Sequence, residues 1–284
     1  MMNLTDEKQL KALLARHGFR FERSKGQNFL IDASVPERIA AACGADGAAG
    51  VVEVGPGVGC LTQCLAQNAA AVLAYELDES LRPVLEETMA PHPNVRIEFA
   101  DAMRRDLRAD AEAYLPGLRR VFCANLPYNI TTPVLTKVYE SRVFDTVTVM
   151  IQREVALRLC AAPGSGDYGA FSVFTQWHAE PELLFTVPPR AFLPPPKVTS
   201  AVVRLRMREA PPADTDETRF FRVVRAAFAQ RRKTLVNSLS TAFPKERAAA
   251  AVAECGLPER VRGEELSIPQ FAALTAALYS NENK

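Results

Sequence analysis

Short apolar runs recur along the first two thirds of the chain, separated by segments whose apolar positions fall three or four residues apart. The runs at 51–54, 71–75, 94–99, 119–124 and 144–151 are rich in β-branched and aliphatic residues and bounded by glycine, proline or charged residues, which predicts five strands. Helical spacing lies between or beside them at 61–67, 79–89 and 132–140. Alternation of this kind builds βα units, hence a largely parallel, doubly wound sheet. Two further strands, 182–187 and 200–207, flank Val187–Val198, five of whose twelve residues are proline. That connection lacks amide donors and is stiff, so it cannot be a central strand. The strands around it are expected to pair antiparallel at the sheet edge and bring the count to seven.

Residues 4–17 form an amphipathic pattern, another helix starts near Ser34, and 152–178 reads as helices interrupted by the loop Ala162–Gly166. Glu209–Asp216 is acidic and turn-rich, a linker by composition. Beyond it only helical patterns remain, at 217–229, 231–242, 245–255 and 267–280. The expected organisation is an α/β domain over 1–208, with an N-terminal arm at 1–33, and a small all-helical domain over 209–284.

Composition narrows the chemistry. With 284 residues, 48% of them hydrophobic, the chain can bury a core of this size. A net charge of +1 gives no global field, so a nucleic-acid partner must be met by a local patch. Six cysteines without C-x-x-C spacing and three dispersed histidines indicate neither a metal site nor a disulfide framework. The charged N-terminus lacks the apolar core of a signal peptide and no apolar run reaches membrane-span length, so a soluble, cytoplasmic protein is expected.

The pattern is organised around Val51-Val-Glu-Val-Gly-Pro-Gly-Val-Gly59, a strand running through alternate glycines into a helix. Gly55 and Gly57 let the backbone approach a ligand closely. The form E-x-G-x-G-x-G, with its acid inside the strand, points to S-adenosylmethionine (SAM) rather than to the dinucleotides bound by G-x-G-x-x-G. Acids follow the next two strands: Glu76 and Asp78, then Asp101. A carboxylate beyond the second strand can accept both ribose hydroxyl protons. Asp78 suits the N-cap of the following helix better than Glu76 does.

The fourth strand runs into Asn125-Leu-Pro-Tyr128. Methyl transfer to the exocyclic amine of adenine is hindered because the nitrogen lone pair is delocalised into the ring. The Asn125 amide oxygen and the Leu126 carbonyl, accepting both amine hydrogens, would favour a pyramidal nitrogen with its lone pair aimed at the methyl donor. Pro127 stiffens the turn and Tyr128 offers a face for the base to stack on. Between Arg219 and Lys245 there are seven cations and no acid, among them Arg222, Arg225, Arg231, Arg232 and Lys233. Such a run reads as a patch that tracks phosphates.

Seven motifs together carry a resemblance: Gly26-Gln-Asn-Phe-Leu30, Glu53–Gly59, Glu76-Leu-Asp78, Asp101-Ala102, Asn125–Tyr128, Tyr168-Gly169 and Phe192–Val202. Over nearly its whole length the chain resembles the ribosomal RNA adenine N6,N6-dimethyltransferases that act on small-subunit RNA. Ala100 stands where glycine is also frequent in related enzymes, a small departure. The resemblance implies a Rossmann-like, seven-stranded class I SAM-dependent methyltransferase sheet with a small all-helical C-terminal domain. It implies dimethylation of adenine N6, at two adjacent adenines of 16S-type rRNA, by a monomer acting on an immature 30S-type subunit during ribosome biogenesis. Asn28 and Leu30 would close over SAM, Gly55 and Gly57 would sit against it, and Glu76 with Leu77 and Asp101 with Ala102 would hold its ribose and adenine. Tyr128 and Phe192 would sandwich the target base, and the helical domain would grip rRNA, chiefly through Arg231, Arg232 and Lys233.

Relatives of this family include large-subunit resistance methylases, disfavoured by the long Phe192–Val202 match, and mitochondrial transcription factors, disfavoured by the lack of a targeting segment. One other function stays open, an assembly factor for which binding outweighs methylation; a DNA adenine methylase shares Asn-x-Pro-Tyr and is disfavoured only by the family resemblance.

Overall fold

The structure, a computed structural model, describes residues 2–21, 27–230 and 232–280. Its strands are β1 (Phe29–Leu30), β2 (Ala49–Val54), β3 (Ala71–Glu76), β4 (Val95–Phe99), β5 (Arg119–Asn125), β6 (Thr146–Gln152), β7 (Ala179–Val187), β8 (Phe192–Leu193) and β9 (Ser200–Met207). Seven of them form one sheet in the order β4-β3-β2-β5-β6-β9-β7. β2 is buried along its whole length, as a strand covered on both faces must be. It pairs in parallel with β3 and β5, which pair in parallel with β4 and β6. β9 runs antiparallel to β6, with Ser200 opposite Gln152, and β7 lies beside β9 at the edge. The expected seven-stranded, mainly parallel sheet is therefore what forms.

Three elements differ from expectation. β1 and β8 make a separate antiparallel ladder, Phe29 opposite Leu193 and Leu30 opposite Phe192, too short to leave a periodic signal. A helix at Leu107–Tyr114 follows β4; its buried residues are Leu107, Asp110 and Ala111, so a charge occupies the core-facing stripe and hides the pattern. Asp110 tolerates burial because Arg105 grips it through two nitrogens at 2.6 and 2.8 Å and Tyr75 donates to it at 2.7 Å. In place of a long helix at 231–242, only Leu235–Leu239 is helical among the described residues there.

The chain divides into two compact units, Met1–Ala156 with Glu182–Met207, and Leu157–Pro181 with Arg208–Lys284. The second is helical, with helices Ala170–His178, Glu217–Ala227, Leu235–Leu239, Lys245–Glu254 and Ile268–Tyr279. Trp177 stacks on Phe220 at 4.2 Å in its core, and the buried Tyr168 hydroxyl donates to the Leu266 carbonyl at 3.0 Å.

Candidate active site

Parallel strands all end on one side of a sheet, and here each of the first four exits through residues of distinctive chemistry. β2 leads into the glycine turn, β3 ends on Glu76, β4 is followed by Asp101, and β5 ends on Asn125. A cavity of about 290 Å³ lies at these ends. Asn28, Leu30, Gly55, Gly57, Glu76, Leu77, Asp101 and Ala102 line it, together with Asn125, Leu126, Pro127, Tyr128 and Phe192. The residues singled out for a cofactor and those singled out for a reacting base thus border one space, within the first unit.

The glycine turn is tight for a physical reason. Gly57 has φ +61°, and a Cβ there would stand 3.1 Å from the Phe29 ring, so a side chain would meet both strain and the N-terminal arm. The turn's amide does not face outward for an anion. Gly57 N–H donates to Glu76 Oε2 at 3.2 Å, and Asp78 N–H donates to Glu76 Oε1 at 2.8 Å. Burial raises the pKa of Glu76 against these two amides, which favour its charge. A carboxylate has about four acceptor sites, so Glu76 retains capacity for a ligand's hydroxyls. Asp78 caps the turn at Glu79–Leu81, accepting from Ser80 N, and also accepts from Gln27 Nε2 at 2.6 Å, which ties the N-terminal arm to the cavity wall. Asp101 Oδ1 accepts from Met103 N at 2.9 Å.

On the other wall, Leu126 N–H donates to the Met150 carbonyl at 3.1 Å, carrying the β5–β6 ladder one residue past Asn125 and fixing the turn. Tyr128 begins a short 3-10 turn and its hydroxyl is 2.6 Å from Ser200 Oγ. Phe192 is buried, while Leu77 is 71% exposed, an apolar side chain left uncovered on the cavity wall.

Sequence reasoning gave no role to several lining residues, notably Gln27, Glu53, Met103, Asn129 and Ile130. Glu53 is the most informative. It is buried, accepts from Thr62 Oγ1 at 2.7 Å, and its pKa is pushed up to about 8 by burial, with the Thr62 bond opposing and the charge of Glu76 adding. Folding therefore favours the protonated acid. Stability from this group is full below its ordinary value of 4.5 and is lost as pH rises through about 8. Denaturant melts of the ligand-free protein should show this decline between those limits, and Glu53→Gln should flatten it. An unchanged slope in that variant would assign the decline to other groups.

Four acids, Glu53, Glu76, Asp78 and Asp101, stand on the wall with no Lys, Arg or His among the described lining residues, and Arg104 Nε reaches Asp101 Oδ2 from outside at 3.6 Å. The cations singled out in the sequence lie elsewhere. Arg222 and Arg225 are exposed on helix Glu217–Ala227, whose opposite face buries Phe220, Val223 and Val224. Arg222 lies over the Phe243 ring at 5.1 Å. Arg232 and Lys233 are exposed before helix Leu235–Leu239. Arg231 lies outside the described residues.

The sheet order, the glycine turn and the acid-lined cavity are those of the class I methyltransferases. A family model described as ribosomal RNA adenine dimethylase matches residues 18–279. Ribosomal RNA small subunit methyltransferase A of Geobacillus thermodenitrificans (strain NG80-2) is 45% identical over 276 residues, 94% of either chain. The protein of the same name from Shouchella clausii (strain KSM-K16) is 45% identical over 281 residues, 96% of this chain and 95% of that one. Among solved structures, the 23S rRNA methyltransferase ErmE superposes with a TM-score of 0.69 at 30% identity, over 88% of this chain and 99% of its own. A dimethyladenosine transferase from Plasmodium falciparum gives 0.75 at 22% identity, over 89% and 98%, a likeness of fold. The chain belongs to the ribosomal RNA adenine dimethylase family.

Proposed function

We propose that this protein transfers two methyl groups from SAM to N6 of adenine in small-subunit ribosomal RNA. The observation that carries the cofactor is the charge of the cavity. Three acids, Glu76, Asp78 and Asp101, beside the protonated Glu53 and with no Lys, Arg or His among the described lining residues, suit a ligand bearing a sulfonium and an ammonium and disfavour the pyrophosphate of a dinucleotide. The Gly57 amide, already taken by Glu76, is likewise not presented to a phosphate. SAM supplies an electrophilic methyl group. In this reading Glu76 receives the ribose diol, Leu77 and Ala102 flank the adenine, Asp101 accepts from its amine, and Asn28 and Leu30 cover the ligand beside Gly55 and Gly57.

The adenine to be methylated enters beside Tyr128 and Phe192. Asn125 and the Leu126 carbonyl accept its amine hydrogens and turn the lone pair toward the methyl group. The alkylated nitrogen is acidic and sheds its proton without a strong base, so catalysis rests on orientation and electrostatics. The curated relatives named for the small subunit, at 45% identity, support that substrate over the large-subunit RNA named for ErmE, at 30%. The decisive experiment incubates the protein with labelled SAM and, in parallel, undermethylated small subunits, large-subunit RNA and DNA, and maps the product by mass spectrometry. Dimethyladenosine confined to small-subunit RNA is expected; label only in large-subunit RNA or in DNA would overturn the assignment.

The α/β domain over 1–208 is the catalytic part in this proposal, acting as a monomer. The helical domain over 209–284 holds the RNA of an immature subunit through Arg222, Arg225, Arg231, Arg232 and Lys233. Replacing Arg225, Arg232 and Lys233 together by alanine should weaken subunit binding and flatten its salt dependence by about 0.7–0.9 in log–log slope per lost phosphate contact. SAM affinity should be unchanged. An unaltered salt slope would make these cations a solvated face.

A further inference from the structure

Ser200 belongs to a motif singled out in the sequence, yet it does not line the cavity and none of the roles above uses it. It is the first residue of β9, fully buried, and its backbone is held against the end of β6: it pairs with Gln152 across the sheet, and Arg153 N–H donates to the neighbouring Thr199 carbonyl at 3.0 Å. A buried hydroxyl in a strand otherwise followed by Ala201, Val202 and Val203 needs a partner, and Ser200 Oγ has one in the Tyr128 hydroxyl, 2.6 Å away. The two residues are 72 apart in sequence.

Tyr128 needs such an anchor. Its backbone is set by the turn after β5, where the Pro127 carbonyl accepts from Ile130 N at 3.1 Å, but its ring reaches into the cavity and is free to rotate about two side-chain torsions unless its far end is held. The Ser200 bond holds that end. The same short piece of chain carries the second ring. Phe192 lies eight residues before Ser200, fixed by its pairing with Leu30, and the connection between them contains Pro194, Pro195 and Pro196. One ring is therefore attached at the start of a stiff strap, and the other is hydrogen-bonded to its end.

We infer that Ser200 is a positioning residue: through the Tyr128 hydroxyl it fixes the tilt of that ring relative to Phe192 and so keeps the singly methylated adenine in place for the second transfer. The inference rests on the dimethylation reading above. The unmethylated amine offers two hydrogens to Asn125 and Leu126, so the first transfer is guided even if the ring tilts. The monomethylated base has one N–H left, is bulkier, and must turn about its C6–N6 bond before its lone pair faces a new methyl group. Its hold then depends more on the stack. Burial raises the Tyr128 pKa, so the phenol keeps its proton and this anchor persists at neutral pH.

The test compares the parent with Ser200→Ala, Tyr128→Phe and the double variant, on undermethylated small subunits, resolving mono- and dimethyladenosine against time. Tyr128→Phe keeps the ring and removes only the hydroxyl. Each single variant should lower the rate of the second transfer relative to the first by about three- to tenfold, the range one neutral hydrogen bond supports, and accumulate monomethyladenosine. The double variant should be no worse than either single, because both delete the same bond. Rescue in Ser200→Thr, which restores the hydroxyl, would add to the case if that variant keeps the parental melting temperature. SAM affinity should stay parental throughout, which a general loosening of the sheet would not allow. A parental ratio of the two rates in both single variants would overturn the role of Ser200 alone. Additive losses in the double variant would do the same, since they mean separate functions. A parent that makes no dimethyladenosine would overturn the reaction assignment, and the role of Ser200 with it.

Discussion

Asn125→Ala is expected to lower turnover by about a hundredfold or more while the melting temperature stays near that of the parent. The side chain stands at the last residue of β5, whose backbone is set by pairing with Met150 and by the Leu126 amide bonded to the Met150 carbonyl. Truncating it removes an acceptor from the cavity and leaves that ladder intact. The acceptor matters most in the transition state. An adenine amine in its ground state is nearly planar and its lone pair belongs to the ring; withdrawing both hydrogens toward two acceptors is what makes the nitrogen nucleophilic. Binding of subunits, carried in the proposed reading by the helical unit, should change little. Some loss of SAM affinity is allowed, because Asn125 lines the same cavity as Glu76 and Asp101. Single-turnover measurements on saturating subunits separate the two effects. A variant with parental turnover and only a raised KM would place Asn125 in binding and remove the amine-orienting mechanism.

The site was legible in the sequence because of one geometric fact about parallel sheets: residues far apart in the chain converge if they follow strands. Glu76, Asp101 and Asn125 could be grouped once β3, β4 and β5 were recognised, and those strands announce themselves by β-branched runs ending at glycine, acid or proline. What lay outside such logic was missed. The helix Leu107–Tyr114 buries a charged residue, and no hydrophobic periodicity reveals a stripe completed by an ion pair with Arg105. The β1–β8 ladder places Leu30 opposite Phe192, 162 positions later by number, through two residues per strand. The Tyr128–Ser200 bond is a contact between a turn and a strand that neither local pattern encodes. Glu53 was visible as an acid in a strand. Its protonation, though, depends on burial and on Glu76 nearby, which only the packed structure supplies.

Glu76→Ala should weaken SAM binding more than any other single change in the cofactor half of the cavity. In the proposed reading its carboxylate accepts two ribose hydroxyls, and hydrogen bonds to a charged, 7%-exposed group are strong. Their loss is expected to cost about 2–3 kcal/mol, roughly thirty- to 150-fold in Kd. The same substitution strips the Gly57 and Asp78 amides of their acceptor, so the turn itself is loosened and the loss tends to the upper end. Asp101→Ala should cost less, because that side chain is 38% accessible and water competes for its partner. Titration calorimetry on both variants gives the ranking. Titration with the demethylated product, S-adenosylhomocysteine, separates the diol from the charge. The product keeps both ribose hydroxyls and loses the methyl group with its sulfonium charge, so Glu76→Ala should weaken SAM and product by similar factors. A loss confined to SAM would mean that Glu76 acts on the sulfonium as a distant charge, and the diol assignment would fall. Unchanged affinity in both Glu76→Ala and Asp101→Ala would remove the cofactor from this wall of the cavity altogether.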